Sequence, residues 1–244
     1  MDQNLENDLA LKTQVYRDKF RENIVPKNYI GPLHLLFNGS LLIISIVFHL
    51  SYYKSPTLID LIPYPLMLIL GNIAVFLIHR YPLHGFYKWN AYPYKNHTRR
   101  HHVFFTEHAI TYKNRRDWFS VFFPPEIVVG FLLVYHPFFY FLLTPIIGED
   151  ATRSYLIASS GYFILYEVVH YISHLPSTHP TMKIAFFRRM RRHHQLHHSP
   201  QLMGKYNFCI VHPFFDMVMG TFVDDQKYTE LTGKPAPDTG DTDV

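Results

Sequence analysis

Seventeen histidines in 244 residues are far more than a chain of this size ordinarily carries, and eleven of them fall into four tight groups. "HRYPLH" holds His79 and His84, "HTRRHH" holds His97, His101 and His102, "HYISH" holds His170 and His174, and "HHQLHH" holds His193, His194, His197 and His198. Residues three and four apart share a helix face, so His194, His197 and His198 should point together, as should His170 with His174 and His97 with His101. His79 and His84 are five apart and diverge on a regular helix, which predicts a break near Pro82. Converging imidazoles repel when protonated and need partners when buried and neutral. A divalent metal resolves both problems, because neutral imidazole is the commonest metal ligand. Ten nitrogens exceed the coordination of one ion, whereas two ions at roughly five nitrogens each would use them all. His34, His49, His108, His136, His179 and His212 stand apart and read as ordinary core or surface residues.

The elements that must position these groups look like membrane helices. Charged residues are 17% of the chain and hydrophobic ones 48%, with 21 Phe and 18 Tyr. The mean hydropathy of -0.04 averages greasy segments with basic, histidine-rich connections. Four apolar runs reach the roughly 20 residues that a bilayer core requires: about 31–52, 59–79, 121–147 and 155–174. Pro124, Pro125 and Pro137 are expected to kink or split the third. The fold class is therefore all-α and integral to a membrane, with about four spans and a histidine-rich helical cap. Residues 1–30 form a polar N-terminal segment, 31–225 the membrane domain, and 226–244 a disordered tail rich in Pro, Asp and Thr.

Lysine and arginine set the orientation. Five precede the first span, eight lie between the second and third, and eight follow the fourth, while the other connections hold only Lys54 and Arg153. This bias puts both termini and all four histidine groups on the cytoplasmic side. It also reads the arginines near residue 190 as topology and lipid-headgroup contact, not a nucleic-acid face. A metal transporter would carry polar ligands along its spans, and a b-type cytochrome would need facing pairs within them; the clusters here sit at span ends. The single cysteine, Cys209, excludes an internal disulfide and a thiolate-rich metal site.

The set H-x4-H, H-x3-H-H, H-x3-H and H-x2-H-H, in this order on a four-span frame, resembles the fatty acid hydroxylase superfamily, which includes sterol desaturases and C4-methyl oxidases. "RRDWFSVFFPP" at 115–125 resembles that family's approach to its third span, and "YNFCIVHPFFDMVMGT" at 206–221 its C-terminal signature; together the likeness covers about residues 70–225. The resemblance implies two Fe ions and O2 as co-substrate, with His79, His84, His97, His101, His102, His170, His174, His194, His197 and His198 as ligands. Zinc is an expected substitute in purified material. Glu167, one turn before His170, is placed to orient a ligand imidazole; Asn207, His193, His212 and Asp216 are expected around the ligands. Cys209 and His212 depart from the family pattern, and His212 either shapes the substrate pocket or adds a ligand.

The resemblance further implies oxidation of a fatty acyl or sphingolipid-like chain, with sterol oxidation or desaturation as the alternative. No His-Pro-Gly-Gly haem signature or Gly-rich dinucleotide fingerprint is visible, so a separate ferredoxin or cytochrome-type electron donor is expected on the basic face. The N-terminus lacks a cleavable signal pattern, and the missing dilysine or KDEL-type ending favours a bacterial inner membrane over the endoplasmic reticulum.

Overall fold

The computed structural model describes residues 3–239 and residue 241, and contains helices and no strand among them. The chain runs through α1 (Gln3–Asn23), α2 (Gly31–Ser51), α3 (Pro63–Ile78), α4 (Ala91–Asn96) and α5 (Pro125–Gly130). It continues through α6 (His136–Ile147), α7 (Glu149–Ser173), α8 (Ala185–His197), α9 (Phe214–Val218) and α10 (Asp225–Thr232). Three stretches are long and apolar enough to cross a membrane: Gly31–Ser51, Ile59–Leu83 and Trp118–Ile147. Each is exposed over much of its surface, as Ile44, Leu68 and Phe141 illustrate.

α7, expected as the fourth span, is not among them. Its 25 residues are enough in length, but Glu149, Asp150, Arg153, Ser159, Ser160 and Glu167 lower its apolarity. The physical reason is placement: α7 packs against α2, α3, α6 and α8, so neighbouring helices surround it and its buried serines and charged groups find protein partners.

Three wide, π-type turns interrupt the helical winding. The first, His79–Leu83, continues α3 where a break was expected at Pro82, and the second, His97–His101, continues α4. The third, Phe131–Tyr135, joins α5 to α6 immediately before Pro137, with the His136 N–H reaching Phe131 O. Pro137 has no N–H to donate, and a turn with one extra residue lets the helix run past it without splitting.

On the cap, α1 is clamped from its buried side. Arg17 donates to Phe104 O at 2.7 Å and to Ala109 O at 2.5 Å, and Arg21 pairs with the buried Asp117 at 2.7 Å. The arginines of α8 divide between two roles. Arg188 and Arg189 are exposed, but Arg191 is buried and donates to Leu175 O at 2.8 Å, and Arg192 pairs with Asp225 at 2.7 Å. Half of this basic run thus holds protein to protein, where lipid contact was expected.

The expected disordered tail is also largely structured. Asp224 caps α10 by accepting from Lys227 N–H, and Gly233 ends it with φ of 67°. Beyond it, Asp238 O accepts from Arg192 and Gln195, and Thr239 O from Arg191. Buried donors on α8 would be left unsatisfied without these acceptors. Residue 240 and residues 242–244 lie outside the described residues.

Candidate metal centre

The two π-turns supply ligands that a uniform α-helix could not. Five residues along an α-helix rotate a side chain by about 140° from its starting direction, whereas the wider turn returns it to the same side. His79 and His84 accordingly lie with ring centroids 5.0 Å apart, and His97 and His102 4.7 Å apart. His97 and His101 stack with ring centroids 5.2 Å apart, as their spacing predicts, yet they fall in separate groups.

His79, His84, His97, His102 and His197 form the first group, and His101, His170, His174 and His194 the second; within each, the ligand nitrogens lie within 4.8 Å of one another. His198 adjoins the second group, with Nε2 3.0 Å from His194 Nε2, and stacks on His102 at 4.2 Å. All ten expected histidines therefore converge, but α8 divides its own: His194 serves one group and His197 the other.

For six of the ten rings the outer nitrogen's partner fixes which nitrogen carries the proton. A backbone carbonyl only accepts, so each ring nitrogen bonded to one must bear the proton. His79 Nδ1 donates to Phe208 O at 2.5 Å, His101 Nδ1 to Ser120 O at 2.7 Å, and His174 Nδ1 to Ile110 O at 2.7 Å. His197 Nδ1 donates likewise to Tyr206 O at 2.8 Å, and His198 Nδ1 to Phe105 O at 2.7 Å. For His84 the acceptor is Thr98, whose hydroxyl donates to Leu83 O at 2.6 Å and so turns a lone pair to His84 Nδ1 at 3.2 Å. Each Nε2 is thereby left bare and pointing inward.

The inward separations are 2.8 Å for His79–His97, 3.0 Å for His84–His197, 3.1 Å for His97–His102 and for His174–His194, and 3.3 Å for His170–His174. Where both nitrogens are bare, as for His84 and His197, they repel at such a distance. Around an ion with metal–nitrogen bonds of about 2.0–2.1 Å, neighbouring ligands lie about 2.9–3.4 Å apart, which matches. His101 Nε2 is buried with no hydrogen-bond partner, and its lone pair is available to a ligand bond. The donor set fits two ions, and second ring nitrogens bonded to carbonyls are the usual support of metal-bound histidine.

Burial keeps these imidazoles in the neutral, ligand form. It depresses His84 to about 2 and His101 to about 4, and holds His97, His102, His194, His197 and His198 well below the ordinary imidazole range, with repulsion from neighbouring imidazoles acting in the same direction.

Around the first group, Asp216 is the organising residue. It accepts from Phe208 N at 2.9 Å, Cys209 N at 2.7 Å, Thr221 Oγ1 at 2.7 Å and His193 Nε2 at 3.2 Å. Although burial pushes its carboxyl up, His193 and Thr221 hold it below the usual range. Between the two carbonyls that orient His197 and His79 sits Asn207 at φ 58°, a left-handed conformation that asparagine tolerates better than most residues. Its side chain fixes the turn by accepting from Val223 N at 2.7 Å and donating to Val223 O and His193 O. His193, Asn207 and Asp216 thus lie around the first histidine group.

Glu167 and His212 do not behave as anticipated. Glu167 Oε1 accepts from Phe123 N at 3.0 Å, positioning the chain at 120–123 and not an imidazole. His212 is exposed and its Nδ1 accepts from Phe214 N at 3.1 Å, so it belongs to neither group. The supporting partners that sequence reading missed are Thr98 and the carbonyls of Phe105, Ile110, Ser120, Tyr206 and Phe208; carbonyls leave no mark in a sequence. Of the isolated histidines, His34 bonds Tyr29 and Phe123 O, and His49 pairs with His136 at 3.2 Å, in keeping with core roles.

A cleft of about 600 Å³ reaches the two histidine groups. Its walls are mainly apolar and aromatic, with Phe20, Phe119, Phe122 and Phe123 among them, and His97, His101 and His170 come from both histidine groups. Leu33, Phe37 and Ile127, all exposed, border it where α2 and α5 meet. Its size suits a single drug- or chain-sized molecule.

Comparison of the chain with protein-family models, with curated proteins and with solved structures finds no match.

Proposed function

We propose that this chain is a membrane-bound, O2-dependent hydroxylase of the fatty acid hydroxylase type, which uses two iron ions to oxidise a fatty acyl or sphingolipid-like chain. The observation that carries the reading is the apposition of two groups of inward-facing imidazole nitrogens along the wall of an apolar cleft bordered by candidate membrane helices. On this reading α7 is a fourth, protein-enclosed span, and both termini and the metal centre lie in the cytoplasm, in agreement with the lysine and arginine bias.

When bound, the ions would activate O2 and accept electrons one at a time. The chain's own residues do the rest. Phe119, Phe122 and Phe123 hold an acyl chain out of water beside His97, His101 and His170, and Leu33 and Phe37 let it enter from the bilayer. The reaction balances as substrate C–H plus O2, two electrons and two protons giving C–OH and water. Electrons come from a separate ferredoxin or cytochrome-type donor, for which the exposed Arg188 and Arg189 offer basic docking.

The test is lipid mass spectrometry on cells expressing the wild type or His197→Ala, with metal analysis of both purified proteins. A lipid gaining one oxygen only with the wild type supports the proposal; one losing two hydrogens redirects it to desaturation. Wild-type protein that binds no metal defeats it.

A further inference from the structure

Resting on the reading that both histidine groups hold metal, the geometry points to Asp241, with Asp238 and Thr239, as a positioning strap chiefly for the second group. The Asp241 carboxylate gathers three segments. Thr111 Oγ1 donates to it at 2.9 Å, Ser177 N at 2.8 Å, and the buried Arg191 at 2.5 Å. Its backbone forms an isolated bridge with Ala109.

Each of these segments leads directly to the second group. Thr111 follows Ile110, whose carbonyl fixes the His174 ring, and Tyr112 N donates to His174 O at 3.2 Å. Ser177 lies three residues past His174. Arg191 sits one turn before His194 on α8, and its guanidinium joins Leu175 O, Thr239 O and Asp241 in one knot. Gln195, the next residue after His194, donates to Asp238 O and to Glu107 O, the latter between Phe105 and Ile110 whose carbonyls orient His198 and His174. The Asp241 carboxylate thus ties together α7, α8 and the 105–112 loop, from which His170, His174, His194 and the neighbouring His198 are held, while His101 is oriented separately by Ser120 O.

Asp241 touches no ligand imidazole, so its role is positioning, and the readout is metal occupancy. Full-length protein should bind about two ions and Asp241→Ala about one. Two reference variants assign the loss: His84→Ala disables the first group and His174→Ala the second. Combined with His84→Ala, Asp241→Ala should strip the remaining ion; combined with His174→Ala, it should cost no further ion. Asp241→Glu, which keeps the carboxylate, should restore part of the occupancy. Unchanged occupancy in Asp241→Ala overturns the strap, as does loss of both ions in the His174→Ala background, which would mean a cap that simply unfolds. Wild-type protein without metal would instead defeat the metal reading itself.

Discussion

His84 Nε2 and His197 Nε2 face each other at 3.0 Å across 113 residues of chain, and neither has a proton to offer the other. Thr98 and Tyr206 O occupy their outer nitrogens. Their lone pairs repel each other, and a cation between them would relieve that repulsion. His84→Ala should therefore reduce bound metal by about one ion per chain and abolish oxidation while leaving membrane insertion unchanged, checked by metal analysis and membrane fractionation. Retention of both ions would remove His84 from the centre.

Thr98→Val keeps the shape of the side chain but takes away the acceptor that fixes the His84 tautomer. Loss of such an outer partner costs about 10- to 100-fold in metal affinity. Competition against a graded series of chelators measures it, and the first ion should leave earlier than in the wild type.

Acid should attack the cap before it affects the spans. Burial holds His101 at about 4 and His84 at about 2, while both titrate near about 6.5 in an unfolded chain. Above that pH both states are neutral and stability is insensitive to these groups. Below it, the unfolded chain binds protons that the folded one refuses, so stability falls as pH drops toward 4 and further. The melting temperature of metal-free protein should be level above neutrality and decline from about pH 6.5 downward; a rise on acidification would contradict the buried, neutral state.

Gly71 on α3 packs directly against Tyr162 of α7. A Cβ there would lie 2.6 Å from the Tyr162 ring. Gly71→Ala should cost about 1–3 kcal/mol through overpacking, read as a lower melting temperature in detergent. An unchanged melting temperature would show that the ring moves aside freely.

Much of this was open to sequence reading because it depends on simple spacing and composition. Apolar length located α2, α3 and the helix through Pro137, and the four histidine groups converge as their clustering implied. The partition of those histidines was not legible. A period of 3.6 sets His79 against His84, and only the π-turn brings them together, while His97 and His101 stack as that period predicts yet fall in separate groups. Nothing in "HTRRHH" distinguishes a wide turn from an ordinary one. The tail misled for a different reason. Its composition is that of a disordered segment, and its order comes from donors on Arg191, Arg192 and Gln195, some forty residues earlier in the sequence.

The enclosure of α7 by α2, α3, α6 and α8 bears on how the protein is made. A helix carrying Glu149, Asp150, Arg153 and Glu167 is a poor passenger for a bare bilayer, where each charge is costly at depth. Its companions must already be present to receive it, and three of them, α2, α3 and α6, are synthesised first. On the proposed reading, the helix that brings His170 and His174 is thus admitted by protein more than by lipid. Biogenesis then acquires a built-in order: the oily frame is laid down, α7 is drawn into it, and the two histidine groups close only when that assembly has succeeded.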